Sequence, residues 1–292
     1  MTMDWRPSKR SSAAATCVAI LLAVTAVAAG CGGQAQKQAA GGRVKASGST
    51  TVLPIAQEAA VEYGDANRGV RVDVQGGGSS VGINQLIQGI VDIGMSSRDL
   101  NPDEVGKGLV NHNIAFDIIA IVINPSMPVT NLSDAQITAI FTGKVKNWKE
   151  LGGPDKQIVV VVRDQASGTR EIFDKRALGA TDTRVVETVP SAIQCSSNGV
   201  MREIVGTTPN AIGYISFGYV NKRLKAISFN GVAPTVADAA TGRYPIARFL
   251  HLFTKGEAKG VAKGYIDFVL SDKFQTEIVA REYVKMKDVK TP

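Results

Sequence analysis

Four stretches of this chain carry the same mixture of hydroxyls, glycines and arginines. They are Ser49-Thr50-Thr51, Ser79-Ser80 after Gln75-Gly76-Gly77-Gly78, Ser96-Ser97-Arg98, and Arg163 followed by Ser167-Gly168-Thr169-Arg170. Hydroxyls donate hydrogen bonds, glycine opens the backbone amides, and a guanidinium adds fixed charge with paired donors. These groups hold an oxyanion without a metal when a strand ends and a helix begins, because the first helical N–H groups are unpaired and the dipole is positive there. Each turn alone reads equally well as a Ser/Thr helix cap. Four together point to one small oxyanion beyond the carboxyl ends of the strands.

The surrounding pattern supplies those strand ends. Val44–Ala46, Val70–Val74 and Asp92–Ser96 read as short strands, Ala115–Asn124 as a longer one, and Ile158–Val162 as a buried β-branched run. Helices are expected over 52–63, with Pro54 in the first turn, and from the Ser79 turn through Ile90. Ile83, Leu86, Ile87 and Ile90 form the inward face of the second of these. A helix is expected near 102–109, and another after the capping box Ser133…Gln136. Further helices follow Arg163 over 171–178 and near 196–205, and two close the chain at 257–270 and 272–282. Strands are expected at 211–215 and 247–253, the latter with Arg248 inside an apolar run. Strands alternating with helices make the class α/β, with largely parallel sheets.

The 292 residues carry a net charge of +7, with 44% hydrophobic and 20% charged residues, a globular composition. Arg6, Lys9 and Arg10 precede an apolar stretch over 13–29, and Ala28-Ala29-Gly30-Cys31 follows. This reads as a secretory signal over residues 1–30. It resembles a lipoprotein signal, with cleavage before Cys31 and lipid on its thiol. Without residues 1–30 the charge is +5, with no basic block, so nucleic acid is excluded as a partner and an anionic ligand suits the surface. Residues 31–43 read as a flexible tether. Cys195 is then alone, a buried inert thiol, and His112 and His251 are too isolated for a metal site. No cofactor is expected.

Ala46 through Pro54, Gln75 through Ser80, Thr142-Gly143 with Asn147-Trp148, and Arg163…Ser167-Gly168-Thr169 resemble the phosphate-binding protein of the high-affinity phosphate ABC transporter. The resemblance runs from Val44 to the C-terminus. It implies a two-lobed, type II periplasmic binding protein-like fold with a hinge between lobes. Residues 44–123 and 222–292 would form one lobe and 124–221 the other. It implies inorganic phosphate in the interlobe cleft, delivery to a membrane permease, no catalysis, and a lipid-anchored place in the cell envelope. By motif, Thr50, Thr51, Ser79, Ser97, Arg163, Ser167, Gly168 and Thr169 would bind phosphate, with Ser49, Ser80 and Arg98 as further candidates. One branch of the family has an aspartate where Ser97 stands, and another where Gln165 stands.

Two other functions fit parts of the sequence. Another oxyanion, such as sulfate, molybdate or tungstate, would suit the same turns. Gly78-Ser79-Ser80-Val81-Gly82 matches G-x-S-x-G, so a serine hydrolase would use Ser80 with His251 as base. The glycines of this stretch are one residue too widely spaced for a dinucleotide fingerprint. Trp148 reads as a loop anchor, Met95 as core, and Tyr214, Phe217 and Tyr219 as packing near the lobe crossing.

Overall fold

The structure, a computed structural model, describes residues 41–181 and 184–289. The signal, Cys31 and most of the tether lie outside the described residues. Among the described residues no helix is long and apolar enough to cross a membrane.

The chain opens with two strand–helix units and a third strand: β1 (Arg43–Gly48), α1 (Leu53–Ala66), β2 (Arg71–Gly76), α2 (Ser79–Ile87) and β3 (Ile93–Ser96). β1 pairs in parallel with both β2 and β3, so their carboxyl ends share one edge. β4 (Leu109–Ile123) is fifteen residues long, and its last seven residues are all buried. β5 (Asn131–Leu132), α3 (Asp134–Phe141), β6 (Val159–Arg163), α4 (Gly168–Ala177), β7 (Ile193–Cys195), α5 (Asn198–Thr207) and β8 (Ala211–Ser216) follow. β6 pairs in parallel with β7 and β8, which makes a second edge of carboxyl ends. β9 (Lys225–Phe229), α6 (Val236–Ala240), β10 (Ala247–Lys255), α7 (Gly260–Leu270) and α8 (Asp272–Glu277) complete the order.

The strands run β2-β1-β3-β10-β4-β8-β6-β7, with β9 and β5 branching at β4. The antiparallel pairs all involve β4 or β10. β4 pairs with β10 over its first part and with β8 from Ile119 to Ile123, so it carries the chain from one core to another. One core holds Ala46, Ile55, Met95, Leu252 and Tyr265. The other holds Ile121, Ile137, Trp148, Phe173 and Tyr214. β9 pairs with the end of β4, and Tyr244 and Ile246 join this second core.

Local chemistry explains most of these elements. The Ser133–Gln136 capping box forms and starts α3. Trp148 is fully buried, and its indole Nε1 donates to Asn210 O at 3.0 Å, so it anchors its loop as expected. β6 is buried on both faces, which is why it reads as an unbroken valine run. Two expectations fail. Residues 102–106 form turns instead of a helix. Gly106 and Gly108 adopt φ values of +80° and +74°, and the Glu104 carboxylate is drawn to Arg98 and the Asn101 amide. α2 ends at Ile87, so Ile90 falls beyond it and is exposed.

Candidate functional site

Four helix beginnings converge. Thr50 and Thr51 lie just ahead of α1, Ser79 opens α2, Gly168 and Thr169 open α4, and Asn198 opens α5. The side chains are almost wholly withdrawn from solvent, including Thr51, Ser79 and Asn198 at 0% exposure and Arg163 at 1%. First-turn N–H groups and positive dipole ends therefore gather in one dry place.

Arg163 ends β6. Its Nη2 donates to Thr50 Oγ1 at 3.3 Å and to Ser196 O at 3.0 Å. Its Nε and Nη1 are buried without a hydrogen-bond partner among the described residues. Burial pulls its pKa down from the ordinary arginine value, and it remains a cation. Thr51 and Thr169 hydroxyls stand 3.2 Å apart, and Asn198 Nδ2 donates to both Thr50 Oγ1 (3.2 Å) and Thr51 Oγ1 (3.0 Å). Ser97 N donates to Ser79 Oγ at 3.1 Å, and those two hydroxyls are 3.3 Å apart. Gly168 packs against them so closely that a Cβ there would stand 2.5 Å from Ser79 Oγ and 3.0 Å from Ser97 Oγ.

The remaining candidates take supporting positions. Ser49 Oγ accepts from Thr51 N (3.1 Å) and Val52 N (3.4 Å), closing its own turn. Ser167 caps α4 by accepting from Arg170 N at 3.2 Å. Arg170 Nη1 donates to Arg163 O at 2.7 Å and so braces the strand end. Arg98 is held by Glu104 through Nη1 (2.6 Å) and Nη2 (2.8 Å), with Glu171 Oε2 2.8 Å from its Nε. Its Nη2 also donates to Ser80 Oγ at 3.1 Å. The hydrolase pairing does not form. His251 Nδ1 is bonded to Asn111 Oδ1 at 3.0 Å, and its Nε2 faces Asp99 at 3.6 Å.

Several contributors escape the sequence reading. Asn198 follows the short strand β7. Arg248 of β10 donates from Nη2 to Thr51 Oγ1 and Thr169 Oγ1, each at 3.0 Å, and pairs with Asp117 of β4. Ser216 Oγ donates to the other Asp117 oxygen at 2.7 Å. Burial pushes the Asp117 carboxyl up from its ordinary range, against the pull of Arg248 and Ser216. Tyr219 and Tyr283 hydroxyls donate to the carbonyls of Thr50 (2.7 Å) and Thr51 (3.1 Å), fixing that turn. Donors of this number, around a cation with idle N–H groups, suit a tetrahedral oxyanion.

A family model described as the PBP superfamily domain matches residues 33–273. The phosphate-binding protein PstS of Bacillus subtilis is 38% identical over 286 residues, covering 93% of each chain. This chain belongs to the PBP superfamily, in the branch of the phosphate-binding PstS proteins. Solved structures agree. A protein from Clostridium perfringens assigned as a phosphate ABC transporter substrate-binding protein, with bound phosphate, matches with a TM-score of 0.79 at 35% identity, over 84% of this chain and all of that one. An ABC-type phosphate transport receptor from Vibrio cholerae matches with a TM-score of 0.70 at 37% identity, over 82% and 99%. The α/β class expected from the strand–helix alternation and the PBP-like fold implied by the family resemblance are both observed.

A cleft of about 620 Å³ adjoins the cluster, bordered by Arg98, Ile172, Tyr244, Arg248 and His251. It shares Arg98 and Arg248 with the walls described above, and its lining mixes apolar residues such as Phe116 and Phe249 with the charged Asp99 and Arg176.

Proposed function

We propose that this protein captures inorganic phosphate within the hydroxyl–arginine cluster and delivers it to the permease of an ABC transporter. The observation that carries the reading is Arg163, a buried cation whose Nε and Nη1 lack partners among four helix N-termini. A dianion satisfies that charge and those donors together. Membership among the PstS proteins supports phosphate as that dianion. No bond is made or broken: Ser80 is engaged by Arg98, and the cluster binds without reacting.

Phosphate enters when two lobes part and is enclosed when they meet. Residues 124–221 form the core of one lobe, and 44–123 with 222–292 the other. The pairing of β9 with β4 and the packing of Tyr244 and Ile246 support extending the 124–221 lobe through about Ile246. Thr50, Thr51, Ser79 and Ser97 then face Arg163, Ser167, Gly168 and Thr169 across the closure. The sequence ahead of the fold supports export and lipid attachment at Cys31, which places the protein on the outer side of the cytoplasmic membrane.

The test is calorimetry with phosphate on wild type and Arg163→Ala. Loss of this charge-assisted contact costs about 2–5 kcal/mol of binding, and unchanged affinity removes Arg163 from the site. A sulfate, molybdate or tungstate site is the second reading. It is favoured by serine at position 97, where a carboxylate would oppose a fully ionised anion. Competition among these anions decides between the two.

A further inference from the structure

The hydrogen-bond directions in the cluster are fixed by residues that can only donate. A guanidinium carries no acceptor, and neither does an amide nitrogen. Asn198 Oδ1 accepts from Ser216 N at 3.3 Å, which sets the amide so that Nδ2 faces the threonines. Thr51 Oγ1 therefore receives one hydrogen bond from Asn198 Nδ2 and one from Arg248 Nη2. Nη2 has two hydrogens to share among Thr51 Oγ1, Thr169 Oγ1 and Asp117 Oδ2, and a hydroxyl oxygen has two lone pairs, so both lone pairs of Thr51 face a donor. Thr51 can only donate onward and has no capacity to accept from Thr169. Thr169 Oγ1 itself accepts from Arg248 Nη2, so its hydrogen is left for a third group. Thr50 Oγ1 is approached by three donors: Arg163 Nη2, Asn198 Nδ2 and Asn198 N at 3.4 Å. Its hydrogen also points away from them.

The serine side differs. Ser79 Oγ accepts from Ser97 N, and no donor-only side chain among the described residues is bonded to either hydroxyl. Their mutual hydrogen bond can run in either direction. One of the two oxygens is then free to accept from a ligand hydroxyl.

We propose that Arg248 and Asn198 are positioning residues that polarise the site: they lock Thr50, Thr51 and Thr169 as donors, so that this side accepts only unprotonated oxyanion oxygens, and leave the Ser79–Ser97 pair to receive the one protonated oxygen of monohydrogen phosphate. The inference rests on the phosphate reading and deepens it. Arg248 and Asp117 stand on β10 and β4, the two strands that link the cores, so the wiring is anchored outside the turns it controls. Hydrogen bonds in such a chain strengthen one another, which makes the threonines better donors than isolated hydroxyls.

The experiment is phosphate calorimetry across the second ionisation of phosphate. Wild type is expected to bind total phosphate more tightly as pH rises and the dianion replaces the monoanion. The double variant Asp117→Asn/Arg248→Gln removes the donor-only group without stranding a carboxylate. It is expected to lose roughly tenfold in affinity at the alkaline end, and its pH slope flattens, because the threonines can then accept from the monoanion. Thr169→Val is the control: one donor is lost, affinity falls, and the slope stays. A double variant that keeps the wild-type slope overturns the inference, whatever its affinity. If circular dichroism shows that variant unfolded, Asn198→Ala gives the same readout through the freed lone pair on Thr51, and an unchanged slope there overturns it equally. Wild type that binds no phosphate defeats the phosphate reading itself, a result distinct from either.

Discussion

Replacing Glu171 by Gln tests whether the turn after β3 and the start of α4 grip one another only when the protein is closed. Arg98 is 1% exposed, and its Nε lies 2.8 Å from Glu171 Oε2. The contact is close in charge but not aligned as a hydrogen bond, since Nε lacks a partner by that criterion. Its worth is therefore coulombic. Glu104 already neutralises Arg98 through two short hydrogen bonds, and the variant leaves that pair intact. Glu171 is about a quarter exposed and also meets Lys175 at 3.2 Å. A few kcal/mol for close unit charges at an effective dielectric near 20 thus shrinks to about 1–2 kcal/mol after solvent screening. If the pair exists only in the closed form, that energy multiplies the closed population and hence the affinity. Glu171→Gln is then expected to weaken phosphate binding roughly five- to thirtyfold. The loss should shrink in high salt only slightly, because the arginine is buried. Calorimetry at low and high ionic strength measures both. Unchanged affinity with an unchanged melting temperature would show that the pair does not distinguish open from closed.

Two further outcomes follow from the geometry. Gly168→Ala places a methyl 2.5 Å from Ser79 Oγ, so phosphate affinity should fall at least about tenfold while the fold survives, as read by titration beside a thermal melt. His251 is pushed down to about 4 from 6.5, chiefly by burial, with Asp99 opposing and Arg248 and Arg98 adding to the effect. The unfolded chain therefore binds this proton first as pH falls. The stability from keeping the imidazole neutral is complete above about pH 6.5 and disappears by about pH 4, a loss of about 3 kcal/mol. Urea midpoints for wild type and His251→Gln across that window should converge on acidification, and a constant gap would refute the assignment.

The sequence exposed the local devices and hid the long-range ones. The turns at Thr50, Ser79 and Arg163 were visible because glycine, hydroxyls and a strand end are adjacent in the chain. The start of α5 uses the same device, but β7 is three residues long and exposed at two of them, so no strand period announces Asn198. Arg248 and Asp117 each appear as one charge within an apolar strand. Such a charge in a buried run signals a partner, but 131 residues separate the two, and only the antiparallel register of β10 with β4 sets Arg248 opposite Asp117. Arg98 looked like a ligand cation because its turn matches the others in composition. Glu104 and Glu171, neither of them in that turn, claim its guanidinium. The missing helix at 102–106 has the same cause, since Glu104 is bound sideways before a helical turn can form.

The amide of Ser80 donates to Ala166 O at 3.1 Å, and Gly78 adopts φ +97° with no room for a side chain against that same carbonyl. This main-chain clasp bridges the start of α2 and the loop before α4. That hydrogen bond must break before these two segments can separate, so it adds to the barrier against their parting.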